Sequence, residues 1–383
     1  MSESPRILVV APRLDVGGTE LHLVRVLPEL RRRGLDVSVF VLARGGRLEA
    51  RLAGLGVPVT GYAGGATRPV RSISAVVQLH RELRRLRPDI IHFFLPEPYL
   101  IGMLASSGIR PLTRVMSRRS LAVYQRKYRL LGSLERWLHR FTDRLLGNSI
   151  AVVNALVAEC GTPAKVDLIH NGIVMPPPVS PEQRLAMRAE LNIPPDAFTM
   201  AVSANFISYK GHRDLLDALG MLRGRLSGPW RLMLIGQDLG AAAALRRQAE
   251  ELGLADNIVW VEGRSDAQSP LAAADVGILP SHQEGFSNSL IEMMAGALPV
   301  VATRVGGNID AVVDGESGLL VPVKDAAALA AAIAKLHGDA ALRRSMGEAA
   351  RSRVGECFSL DACVAGYVDF YARVAARSGS SPA

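Results

Sequence analysis

The sequence predicts an α/β protein of two domains, each a parallel sheet covered by helices on both faces. Three observations carry that expectation. Short β-rich runs alternate with helical periodicities along nearly the whole chain, the pattern of βα units. A proline cluster, NGIVMPPPVSPEQ, interrupts the alternation near the middle and reads as a linker. With 383 residues, 49% of them apolar, the chain has material for two hydrophobic cores.

In order, RILVV is followed by a helical pattern through Val24, Leu27 and Leu30. DVSVFV, a helix through Val76, Leu79 and Leu83, DIIHFF, TRVMS, a long helix after Leu121, RLLGNS and VDLIH complete the first series. After the linker come AFTMAVSAN, RLMLIG, NIVWVEG, VGILP, LPVVAT and GLLVP, with helices between them. Ligands of such sheets bind beyond the carboxyl ends of the strands, so strand-to-helix loops are the places to search.

No apolar run approaches the roughly 20 residues of a membrane helix. The apolar run in MSESPRILVVAPRL is too short for a signal peptide and has no small-residue cleavage site after it. Cys160, Cys357 and Cys363 are odd in number and show no CxxC spacing, which favours reduced, buried thiols in a cytoplasmic protein over disulfides or zinc. Charge is uneven: 26 Lys and Arg face 13 Asp and Glu through Met175, against 19 and 23 beyond it. A basic first half suits an anionic substrate, an anionic membrane surface or nucleic acid, although no nucleic-acid motif accompanies it.

Three loops could carry chemistry. In APRLDVGGTE, Gly17 and Gly18 let a phosphate or sugar approach the backbone at a helix start. The same residues also fit a plain turn with Thr19 as N-cap and Glu20 favourable to the helix dipole; the GxGxxG dinucleotide fingerprint is absent. In SANFISYKGHRDLLDAL, Lys210 can reach an anion held over the sheet, or can be an ordinary solvated charge. In SHQEGFSNSLIEMMAGALPVVAT, Glu284 and Glu292 flank a helix start whose amides around Gly285, Ser287 and Asn288 suit anions. Carboxylates there suit neutral hydroxyls, so a ligand with both phosphates and sugar hydroxyls, a nucleotide sugar, fits the combination. The alternative is a capping box, Ser289 with Glu292.

With these residues in view, the chain resembles the retaining glycosyltransferases of the GT-B fold, glycosyltransferase family 4. The resemblance runs through the GGTE loop, DIIHFF, GNSIAVVNAL, LIHNGI, YKGH, LAAADVGILPS, EGFSNSLIEMMAGALPVVATRVGG and DGESGLLVP. Its most specific piece is Glu284 through Glu292, which matches the family's E-x7-E motif. The fold implied is two Rossmann-like domains facing across a cleft, with a C-terminal helix returning to the first. The implied boundaries are 1–175 plus about 360–376 for an acceptor-binding domain, and 176–359 for a nucleotide-sugar-binding domain.

The resemblance implies a role for each motif residue. Glu284 would contact the donor sugar and Glu292 the ribose, with the backbone at Gly285, Phe286, Ser287 and Asn288 facing the sugar and diphosphate. Lys210 would neutralise the diphosphate, Gly17 and Gly18 would face it from the other domain, and Arg264 would line the base pocket. Two departures stand out. Relatives often carry Gly-Arg where this chain has Ala204 and Asn205, so Asn205 sits at a donor-facing position without the charge. Relatives also often end the TRVMS-like strand with a histidine, where this chain has Ser117, Arg118 and Arg119; either arginine is a candidate to supply the missing charge. His92, at the end of DIIHFF, is a further candidate, its alternative being a packed core histidine.

The implied reaction is sugar transfer, with retention, from a nucleotide diphosphate sugar to an acceptor hydroxyl. UDP-sugars are favoured over GDP-sugars, without a metal or other cofactor. Cell-surface polysaccharide or glycolipid synthesis is the implied setting, in the cytoplasm or on the inner face of its membrane. The acceptor is expected at the first domain and can be lipid-linked or otherwise anionic. In SRRSLAVYQRKYRLLGSLERWLHRFTDRLLG, apolar Leu121, Tyr124, Tyr128, Leu131, Leu134, Leu138, Phe141 and Leu145 recur at helical spacing among arginines, including Arg126, Arg129, Arg136 and Arg140, and Lys127. The stripe reads first as core-facing, with a bilayer-lying helix as the alternative. Two other readings stay open: a nucleotide-sugar epimerase of the same fold, and a non-catalytic nucleotide-sugar-binding module.

Overall fold

The computed structural model describes residues 4–15, 17–63, 68–121, 125, 128–264 and 268–378. Tyr124, Arg126 and Lys127 of the basic stretch lie outside them. The chain divides into two compact units, Met1–Gly172 with Leu360–Ala383, and Ile173–Ser359.

Among the described residues the first unit holds seven strands: β1 (Arg6–Ala11), β2 (Asp36–Val41), β3 (Val59–Gly61), β4 (Ile90–Phe94), β5 (Thr113–Arg118), β6 (Arg144–Gly147) and β7 (Val166–Leu168). They lie in the order β3-β2-β1-β4-β5-β6-β7, every pairing parallel. The sequence of β1 shows the cause. Side chains of a strand alternate between faces, and β1 is apolar at successive positions, so both of its faces can be covered. Ile7, Val9 and Ala11 enter one core with Val24, Leu27 and Leu30 of the helix Gly18–Arg32. Leu8 and Val10 enter the other with Leu79 and Leu83 of the helix Arg68–Leu86.

The last helix, Leu360–Ser378, belongs to this unit. Cys363, Val364, Tyr367, Phe370, Tyr371 and Val374, spaced along one helical face, are buried in the same core as the helix Gly18–Arg32. Fully burying an aromatic or aliphatic side chain stabilises by about 1.5–3 kcal/mol, so this stripe is enough to hold the helix in place.

The second unit has, among its described residues, β8 (Phe198–Ser203), β9 (Trp230–Gly236), β10 (Ile258–Glu262), β11 (Val276–Leu279), β12 (Val300–Thr303) and β13 (Gly318–Val321). Their order is β10-β9-β8-β11-β12-β13, again wholly parallel. Met200 and Val202 face one core and Ala201 the other. Strand order reverses between β1 and β4 in the first unit and between β8 and β11 in the second. Such switch points leave a crevice beyond the strand ends.

Three details differ from expectation. The helix after Leu121 is not continuous: Tyr128 has a non-helical backbone, φ −119° and ψ 71°, and a new helix runs Arg129–Leu138. Its stripe is split: Leu145 is in the core and Leu121 and Leu138 pack against it, whereas Tyr128, Leu134 and Phe141 are exposed. The cysteines are free, but Cys357 is exposed while Cys363 is buried and Cys160 half-buried.

Candidate active site

Three loops of the second unit converge beyond the carboxyl ends of β8, β11 and β12. The first leaves β8 and is tied to the end of β9 by Asn205, whose Oδ1 accepts from the Gln237 amide at 3.1 Å. Ser208–Lys210 then form one tight turn, ended by Gly211 at φ 72°. A Cβ on Gly211 would stand 1.9 Å from the Pro280 carbonyl oxygen, so glycine alone lets this loop press against the end of β11. The His282 amide donates to the Tyr209 carbonyl at 2.7 Å. The imidazole of His282 lies 2.6 Å from Asp214, on the helix His212–Met221.

These contacts bring the two principal candidates together. Lys210 Nζ donates to Glu284 Oε1 at 2.7 Å, with side chains only 16% and 10% exposed. The loop after β12 backs Glu284: the Gly307 amide donates to the Gly285 carbonyl at 2.9 Å. Gly306, at φ 46°, passes so close that a Cβ would sit 1.7 Å from the Glu284 carbonyl oxygen. Phe286 is buried and packs on Phe358, ring centroids 5.2 Å apart, anchoring the loop.

Ser287 caps the helix Asn288–Ala295, its Oγ accepting from the Leu290 amide at 3.3 Å. The Ser289–Glu292 capping box therefore does not form; Glu292 lies in the second turn, half-buried. The first turn of any helix offers amides with no acceptor inside the helix, and this turn starts four residues after Glu284. Arg264 stands apart from the pair, in a surface ion pair with Glu190 at 2.6 Å. Burial and the neighbouring Lys210 push His212 down to about 4, so at neutral pH it is an uncharged support.

In the first unit, Gly17 rather than Thr19 is the N-cap of the helix Gly18–Arg32. The Glu20 carboxylate folds back so far that a Cβ on Gly17 would meet its Oε2 at 2.4 Å. Burial raises the Glu20 pKa, against its backbone hydrogen bond and the charge of Arg119. His92 is wholly buried: Nδ1 lies 2.7 Å from the Tyr371 hydroxyl and Nε2 2.7 Å from Ser117 Oγ. Burial, helped by Arg119, lowers it to about 3. It is a neutral core histidine, which corrects its candidacy for the site.

Arg118 is corrected too. Its guanidinium is buried between Glu135 and Glu159, each at 2.6 Å, and Glu159 also meets His139 at 3.2 Å. Two carboxylates on one guanidinium leave no positive charge to lend elsewhere. Arg119 instead donates to Asn171 Oδ1 at 2.6 Å and lies close enough to Glu20 to act on its carboxylate. Sequence reading missed His282, Asp214 and Gly306; the signal for the glycine was present in TRVGG, but its partner is 22 residues away. Among the described residues no group of three or more His, Cys, Asp or Glu is placed to hold a metal ion.

The family model for glycosyl transferases group 1 matches residues 183–353, and that for glycosyltransferase family 4 matches residues 16–175. The D-inositol 3-phosphate glycosyltransferase of Acidothermus cellulolyticus is 31% identical over 361 residues, covering 84% of this chain and 78% of its own length. The chain belongs to the group 1 glycosyltransferases of family 4. A second relative of this glycosyltransferase, the D-inositol 3-phosphate glycosyltransferase of Corynebacterium diphtheriae, is 29% identical and covers 88% of this chain and 85% of its own length. Among solved structures, Anabaena HepE in complex with UDP and glucose superposes with a TM-score of 0.83 at 20% identity, covering 96% of this glycosyltransferase and 99% of that chain. The sucrose-phosphate synthase of Thermosynechococcus elongatus does so with 0.81 at 22% identity, covering 97% and 100%. The architecture is the GT-B fold.

Proposed function

We propose that this glycosyltransferase moves a sugar from a nucleotide diphosphate sugar to an acceptor hydroxyl, with retention at the anomeric carbon. One observation carries the reading: a lysine and a carboxylate paired at 2.7 Å over the switch point between β8 and β11, beside a helix start. As a pair they are neutral. A diphosphate carries more negative charge than one carboxylate and competes for the ammonium of Lys210. Glu284, so released, accepts hydrogen bonds from sugar hydroxyls, and Glu292 from the ribose.

In the reaction the bond from the anomeric carbon to the phosphate oxygen breaks, and its electron pair stays on the diphosphate. The acceptor oxygen bonds to the same face of the sugar, and its proton passes to the leaving phosphate. Lys210 and the helix-start amides stabilise the charge that grows there, so no metal or other cofactor is required. UDP-sugars are the favoured donors, in keeping with a neighbour of the same fold that was crystallised with UDP; GDP-sugars are second. The first unit would bind the acceptor, in the synthesis of a cell-surface polysaccharide or glycolipid.

The test is release of nucleotide from UDP-, GDP- and ADP-sugars in the presence of a metal chelator. Lys210→Ala should lower kcat about 10²–10³-fold and Glu284→Ala should lower kcat/KM roughly 10–100-fold. Release of a free epimer, binding without turnover, or undiminished rates in both variants would each reject the reading.

A further inference from the structure

The helix Arg129–Leu138 turns its apolar side outward. Leu130 is 90% exposed, Leu134 46%, Trp137 49% and Phe141 54%. Positions 130, 134 and 137 fall on one helical face, and Phe141, in the 3-10 turn His139–Phe141 that follows, joins them through its ring, which meets that of Trp137 edge to face at 4.9 Å. The face inward is Gly132 and Glu135. A groove of about 850 Å³ continues the patch between this helix and the helix Pro96–Ala105, with Leu104, itself 66% exposed, on its wall. Contiguous exposed apolar surface of this kind marks an interaction site.

Charge identifies the partner. Arg129, Arg136 and Arg140 are exposed along one flank of the stripe, and Arg110 and Lys165 line the groove. Between Tyr128 and Phe141 the sequence has one acid, Glu135, and it is buried against Arg118. The outward face of the helix is therefore apolar and flanked by cations, and the groove beside it adds one exposed acid, Asp143, among Arg110, Arg140 and Lys165. A second copy would bring the same cations against it, which disfavours self-association. We propose that this face docks the protein on an anionic phospholipid bilayer, with Leu130, Trp137 and Phe141 in the headgroup–acyl boundary and the arginines on lipid phosphates. The inference does not rest on the donor chemistry, because binding is read without any nucleotide sugar.

Co-sedimentation with vesicles of phosphatidylglycerol mixed with phosphatidylcholine tests it, against phosphatidylcholine alone. The full chain should pellet with the anionic vesicles, be released by high salt, and show a blue shift of tryptophan emission that is absent from the Trp137 variant, since Trp230 is buried and Trp260 half-buried under Arg246 in the other unit. Leu130→Ser/Trp137→Ser and, separately, Arg136→Gln/Arg140→Gln should each weaken binding roughly tenfold or more. Arg225→Gln/Arg247→Gln, exposed arginines of the other unit with the same change in charge, should leave it unchanged. No pelleting, equal affinity for neutral vesicles, an equal loss in the control variant, or a vesicle-free dimer abolished by the apolar variant would each overturn the proposal.

Discussion

Gly306 is the tightest point of the site, and its effect on Glu284 is purely steric. Its φ of 46° is unfavourable for a side chain, and the Glu284 carbonyl oxygen stands where a methyl group would go. Gly306→Ala should destabilise the protein by about 1–3 kcal/mol, displace Glu284 and lower activity at least roughly tenfold. Gly315→Ala, also at positive φ but with open space around it, should cost stability while sparing activity. Denaturant unfolding and nucleotide release on both variants check this; equal activity losses would contradict it. Lys210 and Glu284 were legible as candidates because each closes a strand-to-helix loop, but their pairing spans 74 residues and no local pattern encodes it. The same blindness misdirected Arg118 and His92. Sequence spacing does not reveal that Glu135 and Glu159 close on the arginine, or that Tyr371 comes back to the histidine.

At the scale of elements, the C-terminal helix and β4 are joined through His92 and Tyr371, and this contact is sensitive to acid. His92 is held near 3 in the fold against 6.5 ordinarily. Its contribution to stability is therefore complete above about 6.5 and is lost as pH falls from there toward 3. Burial alone would raise Glu159, yet the hydrogen bonds of His139 and Arg118 prevail and hold it at about 2, so its contribution is lost from about 4.5 downward. The melting temperature should fall steadily between pH 7 and pH 4, and His92→Gln should make the fall shallower while lowering stability at pH 7. A flat profile in the unmodified protein would contradict this. Elements were legible where apolar runs were long, as in RILVVA and FTMAVS. The three-residue β3 was not, whereas the equally short β7 was legible within the run VDLIH. Helical spacing also revealed the stripe around Leu134, but not which side of it the fold leaves uncovered. VSPEQ read only as linker, although Ser180 and Gln183 form a capping box that starts the next helix.

Across the whole molecule, two parallel sheets repeat one strand order, each with a reversal that opens beyond its strand ends. The second sheet places Lys210, Glu284 and a helix start at that reversal; the first places the Gly17 loop after β1 at its own. The second unit also has a groove of about 560 Å³ lined by Arg184, Arg343 and Arg344, beside Pro299 and Asp275 at the opposite, amino-terminal ends of β11 and β12. A phosphate-bearing ligand thus has two places in this unit that offer cationic side chains, Lys210 paired with Glu284 and the arginine groove, where Arg184 is paired with Asp275. A crystal structure with the bound donor nucleotide decides between them. The diphosphate should lie within hydrogen-bond distance of Lys210 Nζ and the ribose hydroxyls at Glu292; a diphosphate seated among Arg184, Arg343 and Arg344, with the Lys210–Glu284 pair intact, would contradict the proposed donor site.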